Sequence, residues 1–189
     1  MSGFRQVDER EIWSGFVYRL VAGTFESPSG DRFERFVFRT SGAVSVVPIV
    51  YAADDAAREE PRVVLISQYR AAHDEIVVEI PAGVRDVEGE ADEDNARREL
   101  VEEVGLIAGR IEPLGTIYPS AGMTDSTNSI FLATELTPTA ASPHGPEERH
   151  SEVFDIPLRE AIEWIESGRI VDAKSVVGIL LAERRLRGG

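Results

Sequence analysis

A chain of 189 residues, 42% hydrophobic and 29% charged, has enough apolar content for one ordinary domain and too much for a disordered or collagen-like class. Its formal net charge of −14 argues against nucleic acid or an anionic membrane as the main partner, while a small anionic substrate stays open where cations neutralise the contact. With no cysteine in the chain, disulfides, thiolate zinc sites and cysteine nucleophiles are excluded.

The opening "MSGFRQVDER" lacks the cationic, apolar and small-residue succession of a signal peptide. The longest apolar run, "GAVSVVPIVYAA", is well short of the roughly 18 residues needed to cross a bilayer. A soluble, cytoplasmic protein is the expectation.

"EIWSGFVYRLVAGTF" and "RFERFVFRT" are rich in β-branched and aromatic residues and are separated by the turn cluster "ESPSGD". They predict a small two-stranded antiparallel unit. "GAVSVVPIVYAA" and "RVVLISQYR" read as strands buried on both faces, with "DDAAREEP" a polar loop between them. "EIVVEIPAG" predicts another strand, ending at Pro81. Beyond the acidic loop "VRDVEGEADED", with Asp92 as N-cap, a helix is expected to run to about Val104. Ala96, Leu100 and Val104 face inward in it, and Gly105 is its left-handed cap.

Strands follow around "EPLGTIYP" and "NSIFLATEL", then the loop "TPTAASPHGPEER", a last strand "EVFDIP", and helices over "LREAIEWIESG" and "DAKSVVGILLAERRL". This order favours a layered α/β or α+β domain.

The chemistry concentrates in "NARRELVEEVGL". Glu99, Glu102 and Glu103 stand at i, i+3 and i+4, so three carboxylates share one helix surface, where like charges cost a few tenths of a kcal/mol per pair. A solvated helix face is the plain reading. A divalent cation held at a phosphate is the functional one, since Mg²⁺ wants a few converging carboxylates and takes other ligands from water and substrate.

"GVRDVEGEADEDNARRELVEEVGL" resembles the Nudix box, G-x5-E-x7-R-E-(apolar)-x-E-E-x-G-(apolar). Glu90, Arg98, Glu99, Leu100, Glu102, Glu103, Gly105 and Leu106 all match, and Gly83 stands one residue further upstream than the pattern asks. The Arg-Glu-x-x-Glu-Glu-x-Gly core alone arises by chance in such a chain with a probability on the order of 10⁻⁴. "ISQYR", "EIPAG", "YPSAGMTD" and "DAKSVVGILL" are similar, in order and spacing, to segments of the ADP-ribose pyrophosphatase branch.

The resemblance implies a Nudix-type α/β/α sandwich with a mixed sheet over residues 42–189 and an N-terminal antiparallel β subdomain over 1–41, the latter used for homodimerisation and base stacking. It implies Mg²⁺, with Mn²⁺ able to substitute, held by Glu99, Glu103, Glu102 and the Ala82 carbonyl. Arg98 and Glu90 would support those ligands. Arg70 and Met123 would meet the substrate, and Glu79 would line the pocket or be a buried carboxylate paired with an arginine. Trp13, Phe33 and Phe36 are candidates for stacking on the base or for ordinary hairpin or interface packing. The implied reaction is hydrolysis of the pyrophosphate bond of a nucleoside diphosphate-sugar, foremost ADP-ribose to AMP and ribose 5-phosphate. Other nucleotide sugars such as ADP-glucose or GDP-mannose, or a non-catalytic nucleotide sensor, are the alternatives.

Two positions depart from the branch. Where it carries a glutamate as general base, this chain has Arg149, with Glu148, Glu147 and Glu152 as nearby substitutes. Ser126 replaces a second glutamate, beside Asp125. His73, His144 and His150 read as surface residues, with His150 a minor candidate base.

Overall fold

The computed structural model describes residues 3–51 and 60–188. The expected polar loop, up to residue 59, and residues 52 and 53 of the preceding apolar run lie outside the described residues. The chain divides into two compact units, Met1–Gly42 with Tyr118–Thr127, and Ala43–Ile117 with Asn128–Gly189.

The first unit is a three-stranded antiparallel sheet in the order β1-β2-β3, from β1 (Arg5–Gly15), β2 (Tyr18–Glu26) and β3 (Arg32–Thr40). "EIWSGFVYRLVAGTF" therefore holds two strands where one was expected. Gly15 pairs with Tyr18, leaving Phe16 and Val17 as a two-residue loop, with Phe16 at φ 45°. Tight hairpins need a positive φ at the turn and normally take it from Gly or Asn, so an aromatic there gave no signal. The N-terminal half of β1 gave no strand signal, because it is polar and mostly exposed.

In the second unit β4 (Ala43–Tyr51) and β5 (Pro61–Arg70) are central. β6 (Glu75–Glu79) and β7 (Ala82–Val84) come from a segment that looked like one strand. β6 pairs with β5 while β7 pairs with β4. Pro81 stands between them and has no amide hydrogen to continue a ladder.

Helix α1 (Asp92–Val104) follows, and then β8 (Leu106–Ile117) and β9 (Asn128–Pro138). The single turn α2 (Pro146–Arg149) lies within the predicted loop, ahead of β10 (Glu152–Pro157), α3 (Leu158–Glu166) and α4 (Ala173–Gly188). The sheet runs β10-β5-β4-β9-β8; β4 and β9 are parallel and the other pairs antiparallel, so the sheet is mixed.

Alternation along the central strands sorts the core into two layers. Val44 and Val46 of β4, with Val64 and Ile66 of β5, pack against Ala96, Leu100 and Val104 of α1. Val47, Ile49, Val63 and Leu65 point the other way, onto Leu158 and Ala161 of α3 and Ile179 and Ala182 of α4. Helices thus cover both faces of the sheet, the three-layer α/β/α arrangement expected. Among the described residues no helix is long and apolar enough to cross a membrane.

Candidate active site

Helix α1 is placed by its apolar stripe, and its polar stripe is consequently turned along the edge of the β4–β7 pair. Its C-terminus follows the sequence: Gly105 has φ 64° and donates to the carbonyls of Leu100 and Val101. Its N-terminus does not. Ala91 occupies the cap position, and Asp92 is the first helical residue with its carboxylate taken by Arg85 at 2.6 and 2.8 Å.

Arg98 gathers the acids. Its Nε and Nη2 donate to the two oxygens of Glu90 at 3.1 and 3.0 Å, and Nη1 donates to Glu99 at 2.7 Å and Glu102 at 3.1 Å. Nη2 also reaches Asp86 at 3.2 Å and the side-chain oxygen of Asn95 at 3.3 Å, two partners that the sequence reading missed. One guanidinium thus offsets much of the like-charge repulsion on this face.

Glu103 is not among its partners; its carboxylate accepts the Ala82 amide at 2.8 Å. Glu99, 8% exposed, lies in the space that a side chain at residue 83 would occupy. Gly83 has no positive φ in this structure. Its glycine therefore serves close approach rather than backbone conformation.

Burial pushes the Glu99 carboxyl up to about 7, with Glu102 and Asp86 adding to the rise and Arg98 opposing it. Burial likewise pushes Glu103 up to about 8; the Ala82 amide opposes the rise, and Glu99 and Glu148 add to it. The Arg98 guanidinium is held charged chiefly by its bonds to Glu90.

Among the described residues no three His, Asp or Glu side chains are grouped so as to hold a metal ion as they stand. Arg98 holds one oxygen each of Glu99 and Glu102, and the Ala82 amide holds one of Glu103. The donor set nevertheless fits a hard divalent cation: its oxygens are carboxylate, Glu99 is buried and Glu103 half-buried, and desolvation and mutual repulsion raise both carboxyls.

Around this cluster, Arg70 forks onto Glu79 at 2.6 and 2.7 Å, and Glu79 is 2% exposed. Burial alone would raise the Glu79 carboxyl, but its bonds to Arg70 and Lys174 hold it below the usual range. Neither Lys174 nor Asp172, its neighbour at 2.9 Å, was singled out from sequence. Their signal lay in "DAKSVVGILL", which reads as a helix start and as a branch-like segment without giving a role to either residue.

On the α2 loop the Glu148 carboxylate folds back onto the amides of His144 at 2.6 Å and Gly145 at 3.3 Å. Arg149 donates from Nη1 to the His144 carbonyl, closing the same turn. Glu147 is exposed. His144, read as a plain surface residue, stands 3.7 Å from Glu102.

Trp13, Phe33 and Met123 belong to the first unit. Trp13 is 55% exposed, with its ring lying back over Gly15. Phe33 stacks on Phe25 at 5.7 Å and meets the edge of Phe4 at 6.3 Å. Met123 has an exposed side chain and accepts the Phe38 amide with its carbonyl at 2.9 Å. Asp125, beside Ser126, accepts the Thr40 amide at 3.1 Å and pairs with Arg39 at 3.3 Å.

Residues 42–176 match the family model of the NUDIX domain. The chain is 31% identical over 175 residues to the ADP-ribose pyrophosphatase of Bacillus subtilis (strain 168), covering 93% of this chain and 90% of the relative. It is 30% identical, with the same coverage, to the methanol dehydrogenase activator of Bacillus methanolicus. A crystal structure of an ADP compounds hydrolase shares the fold with a TM-score of 0.82 at 24% identity, over 98% of this chain and 95% of that one. A glutamate-lined helix facing a close-approach glycine, inside a fold and a sequence match of this extent, makes the chain a Nudix hydrolase of the ADP-ribose pyrophosphatase-like branch.

Proposed function

We propose that this enzyme hydrolyses the pyrophosphate bond of ADP-ribose to AMP and ribose 5-phosphate with Mg²⁺, or Mn²⁺ in its place, acting as a cytoplasmic homodimer. The observation that carries the reading is the acid cluster of α1, in which Glu99 packs against Gly83, Glu103 meets the Ala82 amide and Arg98 joins Glu99 to Glu102. Glu99, Glu102 and Glu103, with the Ala82 backbone, would hold the ions. Bound there, divalent ions screen the pyrophosphate charge and acidify a water.

The chain's own groups do the rest. Arg98, anchored on Glu90, keeps the carboxylates of Glu99 and Glu102 in fixed rotamers. Glu148 takes a proton from the attacking water as its oxygen bonds to phosphorus and the bridging P–O bond breaks. Its charge already acts on Glu103, whereas that of Glu147 acts on Tyr69, which favours Glu148 of the two. Arg70 meets a phosphate oxygen. Trp13, Phe33 and Met123 of the N-terminal unit serve the base and the dimer.

A second reading, a regulator that binds nucleotide without turnover, is favoured by the relative named as a methanol dehydrogenase activator. A panel of ADP-ribose, ADP-glucose, GDP-mannose and NADH with Mg²⁺ separates the readings. The proposal expects ADP-ribose to have the highest kcat/KM. A different best substrate corrects the sugar or base, and binding without cleavage supports the regulator.

A further inference from the structure

Lys174 lies in the first turn of α4, at the end of the helix where the macrodipole disfavours a cation. Its side chain is 14% exposed, and its ammonium sits between Glu79 and Asp172. Asp172 also accepts the amide of Ser175 at 3.0 Å and its hydroxyl at 2.5 Å, so one carboxylate caps the helix and faces the lysine. Glu79 receives Lys174 on the same oxygen, Oε2, that accepts Arg70 Nη2. An unbroken line of ion pairs, Asp172–Lys174–Glu79–Arg70, therefore joins the start of α4 to the end of β5.

Arg70 spends Nε and Nη2 on Glu79, and among the described residues its Nη1 donates to no protein atom. Its side chain is 40% exposed and lines a cavity of about 460 Å³ together with His73, Glu75, Val77, Asp172 and Lys174. A glutamate carboxylate rotates broadly about its last torsion, and a single guanidinium forked onto it turns with it rather than stopping it. With only Arg70 bound, the fork and the carboxylate can turn together. A second cation on Oε2, anchored through Asp172 to a helix, removes that freedom.

We propose that Lys174 is a positioning residue that, through Glu79, holds the Arg70 guanidinium so that its remaining amino group meets an anionic oxygen of the substrate in this cavity. This rests on the proposed reading that Arg70 touches the substrate. A strut that merely ties α4 to the sheet would contain the same bonds, so a loss of melting temperature on removing Lys174 does not distinguish the two.

The test combines kinetics on ADP-ribose with the ¹⁵N-edited Nε–H resonance of Arg70, assigned by its absence in Arg70→Lys. In Lys174→Met, or Lys174→Gln should the first not fold, that resonance is expected to broaden. KM should rise about tenfold, the scale of one charge-assisted hydrogen bond, with kcat within about threefold. Lys174→Arg should restore both, and Lys174→Met should add nothing to KM in an Arg70→Met background. An unchanged resonance and KM in Lys174→Met, or a full additional effect in the Arg70→Met background, overturns the proposal alone. An unchanged KM in Arg70→Met overturns the substrate contact and the proposal with it.

Discussion

The carboxylate of Glu99 fills the space where a side chain on Gly83 would sit. The glycine and the glutamate, on β7 and α1, are therefore one steric unit. A Cβ at Gly83 would displace only the far end of a flexible side chain, and Gly83 does not need a positive φ. Gly83→Ala is accordingly expected to fold, with stability within about 1 kcal/mol of wild type. Turnover should fall at least tenfold, because Glu99 must leave its seat. A melt paired with a rate assay checks this, and unfolding without a specific loss of activity would show the glycine to be structural.

The α2 loop offers Glu147 and Glu148 for one role. Glu148→Gln is expected to lower kcat by about 10²- to 10⁴-fold with little change in KM, the usual range for a lost general base. Glu147→Gln should stay near wild type. The reverse ranking would move the base one residue along the loop. Glu148 spends Oε2 on the amides of His144 and Gly145, which leaves Oε1 to take the proton.

Glu79 gives a pH prediction. Its folded carboxyl lies below the ordinary value of 4.5, since its pairs with Arg70 and Lys174 outweigh burial. A group lowered on folding contributes stability that is complete above its unfolded pKa and is lost as pH falls through its folded pKa. Wild type should therefore lose stability on acidification from about 4.5 downward, and Glu79→Gln, though less stable at pH 7, should show a shallower acid limb. Urea melts between pH 3 and 7 measure both slopes. Parallel limbs would mean that Glu79 is not shifted.

Much of the second unit was legible because its signals are local. Ala96, Leu100 and Val104 on one stripe placed α1, and Gly105 ended it as a left-handed cap. The box spacing put Arg98 beside Glu90, Glu99 and Glu102, as the hydrogen bonds show. What stayed hidden depends on distant partners. Asp92 looked like a cap until Arg85 took its carboxylate, and the Phe16 hairpin carries no turn residue. Lys174 meets a carboxylate 95 residues away, a separation that no periodicity encodes. Asp86 and Asn95 reach Arg98 through the shape of the β7–α1 connection and the turn of the helix, which the box pattern does not specify.

The function proposed for the α1 glutamates is metal-dependent pyrophosphate cleavage. The most direct measurement follows AMP and ribose 5-phosphate release from ADP-ribose with Mg²⁺, by wild type and by Glu103→Gln, with EDTA as a control. Wild type should release both products, none should appear in EDTA, and Glu103→Gln should be at least about 10³-fold slower despite an intact fold. Equal rates in the two proteins, or release that persists in EDTA, would contradict it.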